Sequence, residues 1–201
     1  TGAWTLLEGA DTGPVMPTIG TPTSDIPQSN DVKSSEYEVR GWYPYLSVAP
    51  NGKLFDAGPV PGLYEIDITG TGSVTQVGTK NDQLRTWGTY VMYDEGKILV
   101  TGGAVIRGEG ATNSAVSISL AETGLEVRSA APMKFQRAFQ SAVMLPTGEA
   151  LMVGGNTTGK QFTSEAAVLE TESWNPTTNT WRTLAAETRP RAYHSAAILL
   201  S

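Results

Sequence analysis

Cysteine is absent from the 201 residues. That excludes a disulfide framework, a zinc–thiolate site, an iron–sulfur cluster and a cysteine nucleophile within them. Histidine occurs once. A catalytic zinc centre usually takes about three protein ligands, often histidines, so these residues do not build one alone. Basic residues are outnumbered, 14 Lys and Arg against 20 Asp and Glu, for a formal net charge of −6. A nucleic-acid partner would call for the opposite balance, to neutralise phosphates. No apolar run approaches the ~20 residues of a membrane span, so no membrane partner is expected, and Thr1-Gly2-Ala3-Trp4 does not open as a signal peptide. Helical periodicity is missing as well: no window of about 12 residues repeats apolar positions at helical spacing.

Glycine (22) and proline (12) are spread along the chain instead, and the apolar stretches between them are short. β-branched runs bounded by Gly, Pro, Asn and Asp predict strands and turns, and hence an all-β fold. Only Ser119 to Val127 is ambiguous with helix, and Gly124 weakens that alternative.

The runs repeat. Arg85-Thr86-Trp87-Gly88-Thr89, Arg137-Ala138-Phe139-Gln140-Ser141 and Arg191-Ala192-Tyr193-His194-Ser195 each place an aromatic two residues after an arginine and lead into an apolar strand. The arginines are 52 and 54 residues apart. An earlier copy, Trp42-Tyr43-Pro44-Tyr45-Leu46-Ser47-Val48, follows Arg40 one position out of step. After a glycine turn comes a second strand ending in small residues: Lys53 to Gly58, Lys97 to Gly103 and Ala150 to Gly155. Glycine pairs at a strand end mark a place where chains pack too closely for a Cβ. In the last copy a third strand is expected at Ala166-Ala167-Val168-Leu169 and a fourth around Thr180 to Leu184, with Asn175 to Asn179 as the turn between them.

A period of about 44–52 residues with four strands is the mark of propeller blades. The spacing predicts three complete blades, at approximately 42–77, 85–128 and 137–184, and a long inter-blade loop at 8–38. Ala3 to Leu7 matches Thr180 to Leu184 and reads as the last strand of a preceding blade, while Ser201 falls inside the first strand of a following one. A closed ring needs at least about four blades, so a fragment with partial blades at both ends is expected.

The glycine pairs, the tryptophans at blade ends and the Arg-x-aromatic openings resemble kelch-type blades. Lys53 to Pro59, Tyr90 to Asp94 with Gly96 to Leu99, Ala111-Thr112-Asn113, and Arg191 to Ser195 resemble, in order across nearly the whole chain, the galactose oxidase and glyoxal oxidase family of copper radical oxidases. The resemblance implies a seven-bladed propeller with one axial copper, bound by two tyrosines and two histidines, one tyrosine being joined to a cysteine by a thioether. It implies oxidation of a primary alcohol, aldehyde or carbohydrate, with O2 reduced to H2O2, in a secreted, extracellular protein. Tyr193 and His194 match the adjacent Tyr-His pair of that site, so the resemblance makes both metal ligands and Tyr193 the catalytic base. The crosslinked tyrosine, its cysteine and the second histidine are then expected outside this chain, in the remaining part of the propeller. Arg40 falls near the family's substrate-side arginine, and Trp87 and Phe139 are candidates for the same axial mouth.

Neutral imidazole and phenolate both suit Cu(II) in a tetragonal site. Adjacent side chains on a regular strand point to opposite faces, so the pair can serve one ion only where the backbone bends. The alternative is plain packing, since Trp87 and Phe139 occupy the equivalent place in the two preceding copies and aromatic blade residues are often structural. On that alternative the protein is a non-catalytic kelch-like binding or structural propeller. The three arginines are expected to brace blades.

Other motifs carry less. Gly154 to Lys160 has P-loop spacing, but Gln161 replaces the magnesium-binding hydroxyl and a strand is expected to follow. Asp11-Thr12-Gly13 lacks a partner copy, and no Gly-x-Ser-x-Gly elbow accompanies His194. Asn156-Thr157-Thr158 is an N-glycosylation sequon.

Overall fold

The computed structural model describes residues 4–10, 43–80, 82–105, 108–121 and 124–200. Twelve strands form three separate four-stranded antiparallel sheets, each a simple meander. The first contains β1 (Leu46–Val48), β2 (Leu54–Asp56), β3 (Gly62–Asp67) and β4 (Ser73–Thr79). The second contains β5 (Thr89–Asp94), β6 (Lys97–Thr101), β7 (Ala115–Ala121) and β8 (Gly124–Ala130). The third contains β9 (Ser141–Met144), β10 (Ala150–Val153), β11 (Glu170–Asn175) and β12 (Thr180–Ala186). Among the described residues there is no helix.

The apolar run of β6 follows from its central place. Ile98 and Val100 pack toward Phe55 and Leu63 of the first sheet, while Leu99 points the opposite way toward Met152 and Trp174 of the third. A strand with sheets on both sides loses the alternation of a half-solvated one. Each such fully buried side chain contributes about 1.5–3 kcal/mol relative to exposure.

The Arg-x-aromatic segments tie neighbouring sheets together. The backbone carbonyls of Arg137 and Arg191 accept hydrogen bonds from Gly103 and Gly155, and the Tyr45 hydroxyl donates to the Arg85 carbonyl at 2.7 Å. The buried guanidiniums turn the other way, into their own sheets. Arg85 donates to the Gly102 and Ser114 carbonyls, Arg137 to those of Gly154 and Glu170 and to Glu172. The glycine pairs are where the sheets converge. A Cβ on Gly154 would lie 2.3 Å from the Arg191 carbonyl oxygen, and one on Gly102 would lie 2.5 Å from that of Arg137.

Two expectations change. The third strand of the last sheet is Glu170–Asn175, not residues 166–169. Ala167 makes only an isolated bridge to Asn156. The apolar signal at Val168 marks a core contact, whereas the true strand hides its burial behind polar residues, Glu172 and Ser173, paired with Arg137 and Glu149. Ser119 to Val127, ambiguous by sequence alone, lies in the β7–β8 hairpin, as the blade spacing and Gly124 favoured. Residues 4–7 form no strand: a strand needs a neighbour for its N–H and C=O groups, and none of the described residues supplies one. Of the 8–38 loop, residues 8–10 alone are described; Gly9 donates its N–H to the Thr71 carbonyl.

Candidate functional site

The entries to the first strands carry an unusual backbone. Tyr43, Trp87, Phe139 and His194 have φ of 61°, 57°, 63° and 66°. A non-glycine residue in that region costs on the order of 1–3 kcal/mol and persists only where its surroundings hold it. Here the strand entry turns sharply, as in the Gly88 N–H bond to the Arg85 carbonyl and the Ser195 N–H bond to the Ala192 carbonyl.

These bends gather the aromatic rings. Trp87 and Phe139 lie 5.2 Å apart, and Phe139 meets Tyr193 edge-on at 5.4 Å. Tyr193 and His194, though adjacent in sequence, stack with centroids 3.7 Å apart and planes at 29°. The positive φ of His194 removes the up-down alternation of a strand and brings both side chains to one side. Together with Tyr43, Tyr45 and Gln140 they border a hollow of about 210 Å3.

The four described sequence candidates, Tyr193, His194, Trp87 and Phe139, therefore meet in one place; Arg40 lies outside the described residues. Sequence reasoning missed Tyr43, Tyr45, Gln140 and Phe162. Tyr43 is hydrogen-bonded to the Tyr193 hydroxyl, and that neighbour, with some burial, raises the Tyr193 pKa above the usual phenol value. Phe162 meets Tyr193 at 5.1 Å and His194 at 6.4 Å, both edge-on. Its loop is shaped by buried Asn156, whose Nδ2 donates to the Lys160 carbonyl and whose Oδ1 accepts from the Gly159 N–H. The end of the P-loop-like segment thus fixes the loop that precedes Phe162. The same burial leaves the Asn156 amide no access for a glycan, against the sequon.

Asp56 supports the hollow from behind. Its Oδ1 accepts the Tyr45 and Gly58 N–H groups, and burial pushes its carboxyl up to about 6. Lys80, also buried, donates to the Ala57 and Val60 carbonyls, and burial lowers its pKa to about 8. Burial likewise holds the Tyr45 phenol above its ordinary value, as a neutral donor to Arg85.

No group of three or more His, Cys, Asp or Glu that could hold a metal occurs among the described residues. The donors that the hollow offers are a phenol oxygen and an imidazole. No helix of the described residues is long and apolar enough to cross a membrane.

No family model matches the chain. Galactose oxidase from Gibberella zeae is 31% identical over 160 residues, 74% of this chain. The chain spans about a quarter of that relative's length, 24%. A solved fungal alcohol oxidase of the AA5 family, in complex with copper, superposes with a TM-score of 0.81 and 28% identity, over 96% of this chain and 38% of that one. The structure of YjhT superposes with a TM-score of 0.56 and 14% identity, over 66% of this chain and 41% of that one, a likeness of fold alone. Three four-stranded meanders converging on an aromatic hub make this a β-propeller chain. In sequence and in fold it resembles the galactose oxidase family.

Proposed function

We propose that these residues form a sector of a copper radical oxidase that oxidises primary alcohols or aldehydes, with O2 reduced to H2O2. One observation carries the proposal: Tyr193 and His194 stack on one side of a left-handed bend, at the hollow where the sheets converge. A phenol oxygen and an imidazole fit two positions of a tetragonal copper site. The remaining donors, including the thioether-linked tyrosine, then come from the rest of a seven-bladed kelch-type propeller. Bound there, copper supplies the electron sink for a dehydrogenation in which alcohol and O2 become aldehyde and H2O2.

The protein residues have separable roles. His194 would hold the metal through a ring nitrogen. A cation beside Tyr193 reverses the upward pull on its pKa and favours phenolate. The phenolate oxygen then accepts the hydroxyl proton of the bound alcohol, and the Tyr43 hydroxyl hydrogen-bonds to that oxygen. Trp87, Phe139 and Phe162 crowd the reacting end with apolar surface and restrict water. Arg40 is assigned the substrate side by resemblance, as is an extracellular location.

Copper loading of the complete protein, followed by a peroxide assay on primary alcohols and aldehydes, tests the proposal. Turnover is expected, with Tyr193→Phe losing about 100-fold or more in kcat and His194→Ala failing to retain copper. The isolated 201-residue chain should produce no peroxide. A copper-loaded complete protein that makes no H2O2 would favour the non-catalytic binding propeller.

A further inference from the structure

An open groove of about 700 Å3 separates the outer parts of the second and third sheets. It is remote from the hollow: β5 leaves the hollow at Gly88 and reaches the groove at Asp94, about 20 Å further along at the strand rise. One wall is a face of the β7–β8 hairpin, where Ser117 pairs with Arg128 and Ser119 with Glu126. The other face of the same hairpin carries Val116, Ile118, Leu120, Leu125 and Val127, packed with the core of the first sheet. One junction between sheets is thus sealed by apolar side chains, while the next is lined by hydroxyls and charges and left open. Packing alone does not call for that difference, since an apolar row on this face too would remove more surface from water.

Every carboxylate lining the groove has its own cation. Asp94 Oδ2 accepts from Lys97 Nζ at 2.8 Å, Glu126 Oε1 from Arg128 Nε at 2.7 Å, and Glu149 Oε2 from Arg182 Nη2 at 2.7 Å. Acids and bases balance, so charge favours neither an anion nor a cation there. Glu149 also accepts from Ser173 Oγ at 3.0 Å, which fixes it as an acceptor. The half-buried Tyr93 ring meets Trp174 edge-on at 5.0 Å. The Tyr93 and Ser119 hydroxyls have no hydrogen-bond partner among the described residues.

We propose that this groove binds a neutral oligosaccharide, with Tyr93 as the apolar platform and the paired carboxylates and free hydroxyls as its polar contacts. A sugar ring presents hydroxyls around its edge and C–H groups on its faces, which matches hydrogen-bonding side chains set about an aromatic ring. The volume lies within the range of ligand sites, about 300–1,000 Å3, and an open groove suits a chain of sugar units. The inference stands apart from the oxidase proposal, because it uses no residue of the hollow and no metal.

The test titrates cellotetraose, maltotetraose and galactotetraose into the complete protein by isothermal calorimetry. At least one should bind with a Kd of about 1 mM or tighter, with little change between low and high salt. Tetragalacturonate, which carries a carboxylate on each ring, should bind at least about tenfold more weakly than the neutral chain that binds best. Tyr93→Leu should weaken binding by about tenfold or more through loss of the ring. Joint replacement of Glu126 and Arg128 by Ala should weaken it several-fold; their side chains are 53% and 72% exposed, so this variant keeps the fold. His194→Ala should bind as wild type does. Failure of all three neutral chains to bind, a preference for tetragalacturonate, or loss of binding in His194→Ala but not in the groove variants would overturn the inference. None of these readouts is turnover, so a protein that oxidises nothing can still bear the groove out, and an active oxidase can still refute it.

Discussion

Arg137 Nη2 and Glu172 Oε2 form an ion pair 2.7 Å long in which neither side chain is more than 1% exposed. The pair joins the entry of β9 to the middle of β11, and most of its polar atoms are hydrogen-bonded, the buried Arg137 Nε being an exception. Arg137 also donates to two carbonyls, and Glu172 accepts the Lys134 N–H at 2.7 Å. Breaking such a pair from one side leaves a charge buried without compensation, typically a loss of about 3–5 kcal/mol. Arg137→Met should therefore destabilise by that amount in urea unfolding. Joint replacement by Met at 137 and Leu at 172 should recover part of the loss; a double variant at least as unstable as the single one would contradict this account.

Gly154→Ala should cost more than Gly52→Ala. Both glycines have positive φ, 68° and 81°, so both substitutions carry the left-handed penalty. Beyond it, a Cβ on Gly52 meets nothing within 4 Å, whereas on Gly154 it collides with the Arg191 carbonyl. The Gly52 variant should lose about 1 kcal/mol. The Gly154 variant should lose clearly more in thermal unfolding, and equal losses would mean that the convergence of sheets tolerates a methyl group.

Asp56 sets a pH dependence. Burial raises its folded pKa from 3.8 to about 6, so the folded protein holds this proton more tightly than the unfolded chain. Its contribution is fully present below pH 3.8 and is lost as pH rises to about 6. A shift of about two units corresponds to about 3 kcal/mol. Asp56→Asn should become more stable relative to wild type across that interval and hold its relative position up to pH 7. Lys80, depressed from 10.5 to about 8, acts outside this interval, its contribution disappearing as pH falls from 10.5 to 8. Paired thermal melts from pH 4 to 7 provide the measurement, and a constant difference between the two proteins would count against a raised Asp56.

Asn156 should carry no glycan when the protein is made through a eukaryotic secretory pathway. The residue is fully buried and its amide holds the loop before Phe162. Mass spectrometry of the peptide spanning Asn156-Thr157-Thr158 should give the unmodified mass; an occupied site would contradict the buried placement of Asn156.

Much of the scaffold was legible because it repeats. The arginines, aromatics and glycine pairs recur at similar intervals, and repetition exposes residues required by backbone geometry whatever their surroundings. The same cue failed at β11, where Glu172 and Ser173 are buried through pairing and hydropathy patterning misreads such residues as solvent-facing. At the hollow, Trp87, Phe139, Tyr193 and His194 stood out by their place in the repeat. Phe162 and Gln140 did not. Phe162 reaches the rings through a loop whose path depends on Asn156, and Gln140 is held at the hollow by Thr101, nearly forty positions away, whose carbonyl accepts from its amide.

The left-handed residue stands two places after the arginine at Trp87 and Phe139, but three places after it at Tyr43 and His194. At His194 the later pivot brings two side chains, Tyr193 and His194, to the hollow, while the Arg191 carbonyl still accepts the Gly155 N–H. Repeated sectors of this kind can vary the side chains offered at their shared centre by moving one backbone pivot, while the contacts between neighbouring sheets stay the same.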